Sequence, residues 1–157
     1  MTPSYAHTDE LRAALHRMGC MGSGEEKEKV IAAKPETVAT INIDYVVPKE
    51  KAAEVQAVFE KHAAHMTEHY KGSLEHLISC YFTKAPQFKV PTDPSQGETD
   101  NMIFTINEEF ATKGSVPAHI EAAKKNDYFP EFGAIMGEFG KVVQPMGEVY
   151  FKMDYTR

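Results

Sequence analysis

At 157 residues, 42% hydrophobic and 25% charged, the chain has the size and composition of one globular domain with one core. A formal net charge of −6 and a pI near 5.6 weigh against a nucleic-acid partner, whose phosphates call for a basic face. No apolar stretch approaches membrane-spanning length, the first residues lack the apolar block of a secretory signal, and two cysteines are too few for a disulfide framework, so the expectation is a reducing, cytoplasmic setting without a membrane partner.

Residues 1–36 read as an extension. Thr8-Asp9-Glu10 precedes Leu11, Ala14, Leu15 and Met18 at helical spacing, and Gly19 supplies a stop, so a short capped helix is expected. Gly22-Ser23-Gly24 and the charged run Glu25 to Lys29 read as a linker. Met18-Gly19-Cys20-Met21-Gly22-Ser23 has the form of an acylation signal, but Gly19 is internal, so the signal operates only if translation begins at Met18.

Residues 37–157 read as the domain. Along 38–47, Ala39, Ile41, Ile43 and Tyr45 alternate with Thr40, Asn42 and Asp44, which is the period of a half-buried strand. Pro48 ends it. From Lys49 to about Tyr70, Ala52, Val55, Phe59, Ala63, Met66 and Tyr70 recur at helical spacing, and Gly72 stops a long amphipathic helix. A second strand is expected over 76–84, with Ile78, Cys80 and Phe82 facing the core and Cys80 acting as a small hydrophobe rather than a nucleophile. Residues 85–100, with three prolines and a glycine, read as a long loop, and 101–108 as the third strand. Ser115 is expected to cap a helix to about Asn126, with Pro117 in its first turn. Tyr128-Phe129-Pro130 reads as a break before a shorter helix over 131–140, and Glu148 to Asp154 as the last strand.

Strand, helix, strand, strand, helix, strand is the order of a ferredoxin-like split βαβ domain: an α+β fold whose four-stranded antiparallel sheet carries helices on one face. The other face then gathers Thr40, Asn42, Asp44, Leu77, Ser79, Tyr81, Thr105, Asn107, Tyr150 and Lys152. Such a mixed face is expected to pair with that of a second copy and enclose a partly polar pocket for a small molecule.

The order of elements, the segment SVPAHIEAAKKNDYFPEF (residues 115–132) and the closing GEVYFKMD resemble the dimeric α+β barrel proteins, and among them the antibiotic-biosynthesis monooxygenase-type domains. Ala118-His119 and Tyr128-Phe129 match the alanine–histidine pair and later aromatic of that group. The resemblance spans about residues 37–154 and implies a homodimer. The group includes cofactor-free oxygenases, haem degraders, isomerases and decarboxylases, so the fold is implied more sharply than the activity. Oxygenase and haem-degrading relatives often carry a functional asparagine at the position of Asn42, whereas the pocket tryptophans typical of cofactor-free oxygenases are absent, since the chain has no tryptophan.

Three sets of residues carry candidate chemistry. His62, His65 and His69 fall within a stripe about 60° wide on one helix, so they could share a metal ion or offer a haem ligand, with His62 nearest the apolar face. The competing reading is a half-exposed flank of the core stripe, and no Glu follows His62 as in an H-E-x-x-H zinc site. His119 reads either as a proton acceptor at the pocket mouth or as a structural or interface histidine. Asp44 with Asn42 reads as the catalytic pair, Asp44 being the general base, and Ser79, Tyr81, Tyr150 and Asn107 as substrate-binding groups. The expected function is monooxygenase-like or isomerase-like chemistry on a small aromatic or polyketide-like molecule, with no cofactor demanded by any motif. The alternatives are a non-catalytic ligand-binding or structural dimer, or a haem- or metal-binding protein.

Overall fold

The alternation along 38–47 is realised as a strand with one dry face. The computed structural model describes residues 30–31, 38–72 and 76–153, in which the short strand Val30–Ile31 (β1) precedes Ala39–Pro48 (β2). Ala39, Ile41, Ile43, Tyr45 and Val47 of β2 are buried, and Asp44 between them is exposed. After a single 3-10 turn at Lys49–Lys51 comes the helix Ala52–His69 (α1). Val55, Val58, Phe59, His62 and Met66 form its buried stripe, so an imidazole occupies a slot that helical periodicity reserves for an apolar residue. Phe59 anchors α1 to the sheet, its ring centroid 4.8 Å from that of Tyr45.

Leu77–Phe88 (β3) and Glu98–Phe110 (β4) follow, then the helices Ser115–Ala123 (α2) and Phe129–Phe139 (α3), the strand Gly140–Glu148 (β5) and the two-residue strand Lys152–Met153 (β6). Four strands form one sheet in the order β3-β4-β2-β5, every neighbouring pair antiparallel. Strands β1 and β6 make a separate antiparallel pair, with Val30 opposite Met153. Among the described residues the fold is therefore α+β, an open four-stranded antiparallel sheet with three α-helices, and its order is compatible with a ferredoxin-like arrangement.

Several expected boundaries are corrected, each for a physical reason. The loop expected over 85–100 is shorter, about residues 89–97, because 85–88 and 98–100 extend the two strands. Pro86 is tolerated because β3 lies at the sheet edge, where a missing N–H costs no partner. Gly97, at φ 84°, makes the sharp return that an L side chain resists. The last main strand is β5, not Glu148 to Asp154. It too is an edge strand, and Pro145-Met146 bulge opposite Ile41, since Thr40 pairs with Gly147 and Asn42 with Gln144.

A second bulge moves Leu77. It pairs with Phe110 while Ser79 pairs with Glu109, so Ile78 is the extra residue, and Leu77 turns to the buried side rather than the open one. Cys80, expected in the core, is exposed on the edge strand. Ser115 is the first residue of α2 rather than its cap, and its N–H lies 3.2 Å from the Thr112 hydroxyl that accepts from it. The expected break between two helices is present but falls at 124–128, and Phe129-Pro130 opens α3 two residues earlier than expected, as suits a proline in a first turn. The helix expected near residues 8–18, the linker over 22–29 and the acylation-like motif at Met18 lie outside the described residues. No helix among the described residues is long and apolar enough to cross a membrane.

Candidate functional site

Period-two alternation on β4 turns Phe104, Ile106, Glu108 and Phe110 toward the helices, and all four are buried. Three of these are core hydrophobes; the fourth is a carboxylate only 3% exposed. Its cross-strand neighbours are Ile41 on β2 and Cys80 on β3, and among the described residues no Lys or Arg pairs with it. Taking a carboxylate out of water costs several kcal/mol unless its oxygens are met. Two histidines meet them. His62 Nε2 from α1 lies 3.0 Å from Oε1, and His119 Nε2 from α2 lies 3.5 Å from Oε2.

Each imidazole is held from behind. His62 Nδ1 is 2.8 Å from the Tyr128 hydroxyl, and His119 Nδ1 is 3.1 Å from that of Tyr70. A carboxylate only accepts, so His62 Nε2 donates to Oε1, while His119 Nε2 stands in polar contact with Oε2 at 3.5 Å and the two Nδ1 atoms meet tyrosine hydroxyls that can donate to them. Burial, with Glu108 adding to it, pushes both tyrosine hydroxyls up to about 12, so they remain protonated donors. Burial pulls His119 down to about 4, against which the Glu108 charge works only partly, so its ring is neutral at neutral pH. Rings lock the arrangement: Phe82 stacks on His62 at 5.7 Å and 7°, and Phe132 lies 4.9 Å from it.

The cluster lines a cavity of about 180 Å³. Ile43 and Ile106 of the sheet, Ile120 of α2 and Phe132 and Met136 of α3 supply apolar wall, and the exposed Val143 and Pro145 of β5 line it too. Among its lining residues only His62, Glu108 and His119 carry polar side chains. One donor atom from each of the three lies within 4.8 Å of the others, the spacing at which a metal ion can be shared.

The structure divides the residues singled out from sequence between the two sides of the sheet. His62 and His119 come together in the cavity. His65 is half-buried, its ring 6.4 Å from that of His62, and His69 is exposed, so the helix triplet does not converge on one point. Desolvation, then the neighbouring imidazoles, lowers the His65 pKa. Asp44 is exposed on the open face, in register with Thr105. Asn42 donates to Asn107 Oδ1 at 2.8 Å and Asn107 to Thr105 Oγ1 at 3.0 Å, a cross-strand ladder on that same face. Ser79 donates to Glu109 at 3.1 Å, and Tyr81 is 58% exposed. Tyr150 is 90% exposed and belongs to no strand. Glu108 was not anticipated, although its even spacing from Phe104, Ile106 and Phe110 was the signal that could have found it. Compared with known proteins, the chain matches no family model, no curated protein and no solved structure at a significant level.

Proposed function

We propose that this chain is a small-molecule enzyme whose site is the cavity under α2 and α3, with His62, Glu108 and His119 as its reactive end. The observation that carries the reading is a buried carboxylate flanked by two buried imidazoles, the only polar side chains lining an otherwise apolar cavity. Buried ionisable groups are costly to a fold, and their concentration at a cavity marks sites of chemistry. A volume near 180 Å³ suits one ring or a short branched chain, being close to the roughly 150 Å³ that takes a benzene-sized guest. The ligand class is accordingly a compact apolar molecule with one polar group, smaller than a polyketide. Deprotonation of that group is the step shared by isomerase-like and monooxygenase-like reactions, and the resemblance to the monooxygenase-type domains supports the same reading. The base lies on the helix side of the sheet; Asp44 lies on the other.

The split βαβ description and a homodimer paired through the open face belong to this proposal, supported by the strand order and by Tyr81 standing exposed on that face. Thermal-shift titration with phenols and small enols tests the site. Ligand at a hundred times its Kd stabilises by about 2.7 kcal/mol. That gain should vanish in Ile120→Trp, which fills the cavity, and survive in Asp44→Asn. Loss in Asp44→Asn with retention in Ile120→Trp would return the site to the open face. Binding without turnover in any compound bound would favour the non-catalytic ligand-binding protein.

A further inference from the structure

We propose that His62, Glu108 and His119 hold one divalent first-row transition-metal ion, zinc or iron(II), with at least one coordination position open to the cavity; this rests on reading that cavity as the functional site. Two imidazoles and one carboxylate are the ligand set of open catalytic zinc sites and of facial iron(II) sites. Ligand bonds of about 2.0–2.2 Å place donors roughly 3.3–3.5 Å apart around a tetrahedral ion. The Nε2 to carboxylate separations are 3.0 and 3.5 Å and the three donor atoms lie within 4.8 Å of one another, so side-chain rotation that draws the donors together about one point would admit an ion. The donors come from α1, β4 and α2, three packed elements, which gives the site a rigid frame.

The outer shell fits as well. A ligating imidazole is usually oriented through its other nitrogen, and here Tyr128 and Tyr70 sit at the two Nδ1 atoms. Metal entry takes the place of the proton on each Nε2; the Nδ1 atoms then carry the protons and donate to the tyrosine oxygens. The hydroxyls remain in position for either arrangement. Charge points the same way: a dication balances a carboxylate that has no Lys or Arg partner among the described residues. The polar group of the cavity's guest would then displace water from the open position, and the ion would lower that group's pKa, which is the deprotonation proposed above.

The experiment uses the full chain stripped by chelator and titrated with Zn²⁺ by calorimetry and with Co²⁺ by visible spectroscopy. Wild type should bind one equivalent and give the d–d bands of four- or five-coordinate cobalt. Tyr128→Phe should keep that stoichiometry while losing about 10–100-fold in affinity, and Glu108→Gln and His119→Gln should lose more than this. His69→Gln should match wild type. No binding by wild type, or binding that persists in Glu108→Gln but disappears in His69→Gln, would overturn the assignment. Phenol added to the metal-free chain separates the two readings: stabilisation by phenol with no metal uptake removes the ion and keeps the cavity. Metal uptake with no response to phenol in either the metal-free or the zinc-loaded chain keeps the ion and removes the cavity as a substrate site.

Discussion

Replacing Glu108 in two ways separates the cost of its charge from the value of its hydrogen bonds. In the metal-free chain, Glu108→Gln keeps the shape and both contacts, because an amide accepts from one imidazole and donates to the other, whose ring proton then sits on Nδ1 and is donated to the tyrosine oxygen. Each charge-assisted bond of about 1.5–3 kcal/mol falls to about 1 kcal/mol, but the several kcal/mol spent desolvating a carboxylate without a cationic partner is recovered. The Gln variant should therefore be as stable as wild type or up to about 2 kcal/mol more stable. Glu108→Ala leaves two buried imidazole nitrogens without a partner, at about 1–3 kcal/mol each. The two variants should thus differ by about 2–6 kcal/mol, or roughly 6–18 °C in Tm at about 3 °C per kcal/mol. Differential scanning calorimetry at pH 7 in chelator reads the gap, and added Zn²⁺ should raise Tm in wild type alone of the three. A Gln variant that melts as low as the Ala variant would refute the reasoning, since the fold would then depend on the charge itself.

Acid stability carries the mark of His119. Its folded value near 4 lies below the ordinary 6.5, so the unfolded chain takes up the proton first as pH falls. This contribution is intact above about pH 6.5 and is lost progressively toward pH 4, by at most about 3 kcal/mol. Urea midpoints across that window should fall less steeply in His119→Gln; parallel slopes would reject the assignment. Gly140→Ala should cost about 1–3 kcal/mol in denaturant unfolding, because the added Cβ would sit 2.5 Å from the Met136 carbonyl oxygen at the end of α3. Gly133→Ala within the same helix meets nothing within 4 Å and should gain about 0.4–1 kcal/mol, so a loss there would show that this turn is tighter than it looks.

The sequence alone was enough for those elements whose signals are local. Alternation through Ala39, Ile41, Ile43 and Tyr45, helical spacing through Val55, Phe59 and Met66, and an α+β order follow from neighbours a few residues apart, and all are seen in the structure. Strand ends were harder to read, because Pro86 and Pro145 are breakers in a central strand and harmless at an edge, and only the sheet order β3-β4-β2-β5 says which strands are edges. Bulges at Ile78 and at Pro145-Met146 likewise arise from pairing between distant segments, which is why Leu77 was placed on the wrong face. The candidate site shows the same division. His62 and His119 could be singled out individually, one near an apolar stripe and one in a marked helix opening. Their meeting at Glu108 depends on packing α1 and α2 over β4, contacts that span 46 residues in the case of His62 and Glu108. Local periodicity records only which side of its own element a residue occupies. Tertiary packing decides whether a buried charge has company, and here it moved the candidate chemistry from Asp44 on the open face to Glu108 beneath the helices.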